Sequence, residues 1–135
     1  MSNNIENNPN KLIIHTKAAP LPRGTYSQAI KCGNTVYLAG QIPLSPITQQ
    51  LVGVDLKSQI TQVFENMSAV AKAAGGTLND IVKLNIYLID LTEINSVNEV
   101  MVEFFTEPYP ARTTIGISAL PMGAKVEVEA IMSLH

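Results

Sequence analysis

The segment Pro108-Tyr109-Pro110-Ala111-Arg112-Thr113-Thr114 offers the sharpest chemistry in this chain. Two prolines stiffen the approach to an extended run, so Arg112 stands at a defined point rather than on a loose loop. A guanidinium presents a rigid fork of donors that matches a carboxylate in a bidentate way. Arg112 is therefore a candidate grip for a small substrate bearing a carboxylate. A solvated or ion-paired surface arginine fits the same spacing, and the residues alone leave both readings open.

Two further groups carry possible chemistry. Glu127 and Glu129 lie two apart in an alternating run, so on a strand they share one face, with Val126, Val128, Ala130 and Met132 on the other. A carboxyl there can serve as a general base, or it can be the solvated side of an edge strand. The segment Gly24 to Ala29 sets Tyr26 near a glycine, where backbone can approach a ligand. Tyr26 can donate a hydrogen bond to that ligand or pack as an ordinary core or interface tyrosine.

Other chemistries lack carriers. The histidines are His15 and His135, and no HExxH, CxxC pair or EF-hand loop occurs, which argues against a metal. No Walker loop or GxGxxG is present to cradle a nucleotide phosphate. Cys32 is the single cysteine; it reads as an inert small residue before a turn, and it allows no internal disulfide. That usage fits a reducing, cytoplasmic setting. A formal net charge of −2 supplies no general attraction to nucleic acid or to an anionic membrane, and no run is long enough to span a bilayer.

These residues need elements to position them. The chain has 135 residues, 46% hydrophobic and 15% charged, which suits one globular domain. Residues 1–11 read as a polar, Asn-rich tail and 12–135 as the domain. Leu12 to Thr16 reads as an edge strand and Ala18 to Gly24 as a loop. Tyr26 to Cys32 and Thr35 to Gly40 flank Gly33-Asn34, a good hairpin signal. Gln41 to Gly53, with Pro43 and Pro46, reads as a loop or irregular hairpin.

Asp55 to Ala74 is the clearest helix, with Leu56, Ile60, Val63, Met67, Val70, Ala71 and Ala74 in one stripe. Asp55 is its expected N-cap and Gly75-Gly76 its stop. Ile81 to Ile89 reads as a strand with Val82, Leu84, Ile86 and Leu88 on one face. A second helix is expected over Thr92 to Phe105, striped by Ile94, Val97, Met101, Phe104 and Phe105 and ended by Pro108 and Pro110. Arg112 to Ser118 and Lys125 to Ser133 read as strands, with a turn at Leu120 to Ala124.

The simplest packing is α+β, with two helices on one face of a mostly antiparallel sheet. The second face then carries Tyr87, Ile89, Ile115, Ile117 and Ile131, a poor set to leave in water. A homo-oligomer that buries this face is expected.

In order along the chain, Tyr26-Ser27-Gln28-Ala29, Asn34 to Pro43, Val63-Phe64-Glu65-Asn66, Ala73 to Gly76, Val97 to Val100, Glu107 to Thr114 and Val126 to Ile131 resemble the Rid family of reactive intermediate deaminases, in its RidA branch. The resemblance is collinear from about Leu12 onward. It implies a chorismate-mutase-like α+β fold and a homotrimer with a central barrel, helices outside and active sites between subunits. It also implies hydrolysis of small enamines and imines, such as 2-aminoacrylate, 2-aminocrotonate and their imine tautomers, to 2-keto acids and ammonia, with no cofactor.

In that resemblance Arg112 pairs with the substrate carboxylate, helped by the Thr114 N–H. Glu127 positions or deprotonates water and can protonate the leaving nitrogen. Tyr26 hydrogen-bonds substrate or water, Gly40 lets backbone line the pocket, and Asn98 forms a polar wall. Thr25, Ala39, Thr114 and Arg23 depart from the family's usual residues and bear on which side chain the substrate carries. Two other readings remain: an RNA-acting translation inhibitor or ribonuclease, which the charge does not favour, and a non-catalytic module that binds small carboxylates.

Overall fold

A helix-then-strand rhythm closes the chain into a two-layer α+β fold, seen in a computed structural model that describes residues 8–135. The elements are β1 Lys11–Ile14, β2 Ala29–Cys32, β3 Thr35–Gln41, α1 Leu56–Ala73, β4 Ile81–Leu88, α2 Ile94–Phe104, β5 Ala111–Gly116 and β6 Val126–Ser133. Most of the expected tail lies outside the described residues, and β1 begins at its last residue. Among the described residues no helix is long and apolar enough to cross a membrane.

The six strands form one sheet in the order β1-β2-β3-β6-β4-β5. All neighbours are antiparallel except β4 and β5, which run parallel with α2 as their crossover. β2 and β3 make the expected hairpin; Gly33 takes a φ of +60° at the first turn position, a conformation glycine adopts without steric cost. β6, last in the chain, inserts between β3 and β4 and becomes the sheet's central strand.

Asp55 caps α1 as its residue type predicts, accepting from the Ser58 N–H and hydroxyl. At the other end the N–H of Gly76 donates to Ala71 O and that of Gly75 to Lys72 O, with Gly75 at φ +95°. This is a Schellman stop, in which both orphan carbonyls are satisfied. The stripe Leu56, Ile60, Val63, Met67, Val70, Ala71 and Ala74 is buried as expected, packed over Val36, Leu38, Leu84, Ile86, Val128 and Met132. Phe64 also turns inward and stacks edge-on against Phe105, with ring centres 5.2 Å apart. Burying a ring of this size is worth about 1.5–3 kcal/mol, and it locks α1 to the end of α2.

Five local expectations need correction. The first strand runs Lys11–Ile14 and ends two residues before Thr16. The strand after the first loop starts at Ala29 rather than Tyr26, so Tyr26 lies on irregular chain. The second helix is α-helical only from Ile94, after a short 3-10 turn over Leu91–Glu93. β5 ends at Gly116, two residues early. In β4 the pairing with β6 shifts between Ile81 and Lys83, so Ile81 is buried at 4% exposure while Val82 stands out at 48%. One extra residue in a ladder flips the faces beyond it, which an alternation rule cannot anticipate.

Buried amides tie the loops to this frame. Gln28 is 2% exposed; its Oε1 accepts from the Thr16 N–H at 2.7 Å, and its Nε2 donates to Thr16 O at 2.9 Å and Pro20 O at 2.8 Å. Asn66 Nδ2 donates to Leu44 O at 2.9 Å. Gln59 links Gly53 O to the Lys125 N–H, 2.9 Å from its Oε1, at the entrance to β6. Each amide satisfies backbone that the loops would otherwise bury unpaired, and the first and third hold the segments that lead to Tyr26 and Glu127.

Candidate active site in two halves

Register decides which face each candidate occupies. In the parallel pair Arg112 sits beside Leu84 and Thr114 beside Ile86, so both belong to the helix-covered face. In the antiparallel pair Glu127 sits beside Tyr87, on the opposite face. The candidate residues therefore fall into two groups that one sheet holds apart.

The first group lies where β5 meets α2. Arg112 Nη1 donates to Asn98 Oδ1 at 2.7 Å and lies 3.2 Å from Met101 Sδ. Asn98, Met101, Val102, Tyr109, Pro110 and Arg112 line a cavity of about 280 Å³. Pro110 and Tyr109 form its rim because the prolines bring the chain into β5 extended. Among the described residues no carboxylate lies within ion-pair distance of Arg112. One edge of the guanidinium is thus oriented by a neutral amide, and its charge is uncompensated.

Thr114 follows on the same face. The Ile117 N–H donates to Leu88 O at 2.8 Å, and backbone groups alternate along a strand, so the Thr114 N–H turns away from β4 to the open edge. It is a free donor one residue past the neighbour of Arg112. The Thr114 hydroxyl oxygen is buried without a hydrogen-bond partner.

The second group lies on the other face. Tyr26, Gly40, Met122 and Glu127 line a cavity of about 390 Å³, together with Arg23 and Ile42. A Cβ built on Gly40 would stand 2.9 Å from Glu127 Cδ and closer still to its oxygen. Gly40 therefore makes the room into which the Glu127 carboxyl folds, a tighter demand than lining a pocket with backbone. Glu127 is half-buried; burial, and after it the charge of Glu129, push its carboxyl above the usual range. Tyr26 is half-exposed, and its oxygen accepts from the Arg23 N–H at 3.1 Å, which leaves the phenolic proton free to donate.

The structure brings Arg112 together with Asn98, and Tyr26 with Gly40 and Glu127; it does not join the two sets within one chain. Residue reasoning missed Met122, which lines the Glu127 cavity in the left-handed region at φ 58°. A turn was expected at Leu120 to Ala124, but nothing marked the methionine as part of a cavity. Met101 and Val102 were also missed, because apolar residues on an amphipathic helix read as core. Among the described residues no cluster of three or more His, Cys, Asp or Glu side chains is placed to hold a metal ion.

The sequence and the helix-backed sheet both match known proteins closely. The family model described as endoribonuclease L-PSP matches residues 16–133. This chain belongs to that family, the Rid family of the resemblance drawn above. A 2-iminobutanoate/2-iminopropanoate deaminase of Dermatophagoides farinae is 45% identical over 125 residues, covering 93% of this chain and 98% of its own. The crystal structure of RidA from the Antarctic bacterium Psychrobacter sp. PAMC 21119 has a TM-score of 0.89 at 49% identity, covering 91% of this chain and 99% of that one. That of E. coli TdcF with bound serine has a TM-score of 0.87 at 36% identity, covering 93% and 100%.

Proposed function

We propose that this protein is an imine deaminase that hydrolyses 2-aminoacrylate, 2-aminocrotonate and their imine tautomers to 2-keto acids and ammonia, without a cofactor. The single observation that carries the reading is the pair of half-sites: among the described residues, an arginine without a carboxylate partner in one cavity and a half-buried carboxyl in the other. The name of the 45%-identical relative and the serine bound to TdcF, itself a small α-carboxylate, support it.

Arg112 grips the substrate carboxylate bidentately while Asn98 fixes the guanidinium, and the Thr114 N–H adds a third donor from the strand edge. Glu127 then cycles one proton. Its acid form protonates the imine nitrogen, which makes the carbon more electrophilic. The resulting carboxylate takes a proton from water as the water oxygen bonds to that carbon and the C=N π pair moves to nitrogen. Glu127 next protonates the amino group of the carbinolamine. The C–N bond breaks with its electron pair going to nitrogen, ammonia leaves, and the carbinol O–H proton returns to Glu127. Imine and water thus become keto acid and ammonia with the enzyme restored. Tyr26 donates to the water or to the developing carbonyl oxygen. Positioning, together with proton transfer worth about 10²- to 10⁴-fold, supplies the rate.

Arg112 and Glu127 lie on opposite faces, so one substrate needs both only across a boundary between copies of the chain. We take the assembly to be a homotrimer of chorismate-mutase-like subunits, its second sheet faces turned to a central barrel. Half-buried Tyr87, Ile117 and Ile131 and exposed Tyr37 and Ile115 on that face favour burial by a partner. A cytoplasmic location, beside the dehydratases that release such imines, completes the reading.

Purified protein added to a threonine dehydratase reaction tests this: keto acid should form faster, and an unchanged rate would refute it. The family model's description names an endoribonuclease. A net charge of −2 and two glutamates on the face of the second cavity oppose the phosphate contacts that RNA binding needs.

A further inference from the structure

Glu127 has a neighbour of its own charge. β6 alternates, so Glu129 is the next residue on the same face. Along β4 the register sets Tyr87 opposite Glu127 and Asn85 opposite Glu129. A tyrosine directly across from a carboxylate is its natural hydrogen-bond donor. Here the Tyr87 hydroxyl instead reaches diagonally and donates to Glu129 Oε1. Diagonal positions on an antiparallel pair lie within reach of long side chains. The phenol is thereby committed to Glu129, and among the described residues no donor is hydrogen-bonded to the Glu127 carboxyl.

The other groups around Glu127 do not offset this arrangement. β3 presents Gly40, which has no side chain. The loop before β2 presents Tyr26 and Arg23 across the cavity; Arg23 Nη2 donates to Gln49 O at 2.7 Å and keeps its charge, but burial and Glu129, not Arg23, set the direction at Glu127. On β4, Lys83 lies farther along, opposite Ile131, and its Nζ donates to Thr113 Oγ1 at 3.1 Å.

We infer that Glu129, fixed by the Tyr87 hydroxyl, is a positioning residue for Glu127: a second carboxylate anchored beside the first makes Glu127 keep its proton until the substrate nitrogen takes it. The geometry stands by itself, while the catalytic consequence rests on the imine-hydrolysis reading above. Like charges that share a face disfavour ionisation of the less solvated partner. The direction at Glu127 agrees, since burial and then Glu129 raise it. The Glu129 hydrogen bond also pushes the Tyr87 phenol up, so Tyr87 stays a donor across the working range.

The test follows the Glu127 carboxyl carbon by NMR in full-length protein labelled with ¹³C at glutamate, assigned with Glu127→Gln. Glu129→Gln removes the charge yet keeps an oxygen that can accept from Tyr87, so packing is preserved. Glu127 should then titrate at lower pH than in the wild type. Tyr87→Phe should move it the same way by less, because a Glu129 released from the phenol is free to swing away, which reduces the negative charge beside Glu127. If Glu129→Gln fails to fold, Tyr87→Phe decides alone. The alkaline fall of kcat should shift to lower pH in step. Unmoved Glu127 titration in the folded variants would overturn the inference, whatever the turnover. A shifted titration in a protein that hydrolyses no imine would uphold the pair and refute the proposed function instead.

Discussion

The cavity beside α2 and the cavity on the opposite sheet face are built from different materials. The first is apolar and cationic: Met101, Val102, Tyr109 and Pro110 surround an arginine oriented by one amide. The second is acidic and hydroxylic: Glu127 folds over Gly40 within reach of Tyr26. One presents a positive charge and the other a carboxyl, and a folded sheet stands between them. The contrast teaches that one sheet can keep a cationic group and a carboxyl on opposite faces, so that the proposed reaction would draw on two copies of the chain.

Removing the grip should have the largest effect. Arg112→Ala is expected to lower kcat/KM in the dehydratase-coupled assay by about 10²- to 10³-fold, the loss of a charge-assisted bidentate contact. The melting temperature should stay within about 3 °C, because the guanidinium has no carboxylate partner to abandon. A collapse in stability would recast Arg112 as structural. Arg112→Lys should recover little, since a point charge lacks the fork.

Glu127→Gln comes next, with about a 10²-fold loss that falls on kcat and leaves KM nearly unchanged. The wild-type pH profile sharpens the point. Glu127 holds its proton to higher pH than an ordinary glutamate, so activity that needs the acid form is present below its pKa and declines as pH rises through it. That decline should vanish in Glu127→Gln; a variant that keeps it would assign the titration elsewhere.

Gly40→Ala should cost about 10-fold in kcat, because the new methyl displaces the Glu127 carboxyl from its place over Gly40. Circular dichroism should remain native. Tyr26→Phe should have the smallest effect, about 2- to 10-fold, the worth of one neutral hydrogen bond. A loss as large as that of Glu127→Gln would make Tyr26 a proton carrier.

Much of this is legible in the sequence. The stripe on α1, its Asp55 cap, its Gly75 stop and the Gly33 turn each follow from local chemistry that tertiary structure did not override. Arg112 was legible as a candidate because two prolines fix its approach. The division of the site was not. Alternation shows that Glu127 and Glu129 share a face, but only the insertion of β6 between β3 and β4 decides which face that is. The bulge at Val82 and the buried amides Gln28, Gln59 and Asn66 were hidden for a related reason: each answers a partner distant in sequence, whereas polarity and period report only on neighbours.

The measurement that bears most directly on the divided site is complementation. Arg112→Ala and Glu127→Gln chains, each nearly inactive alone, are co-expressed at equal levels and assayed as mixed oligomers. If each site joins Arg112 of one subunit to Glu127 of the next, about one interface in four receives both intact residues, and about a quarter of wild-type activity should return. Activity no higher than that of either variant alone, in oligomers shown to contain both chains, would contradict the account.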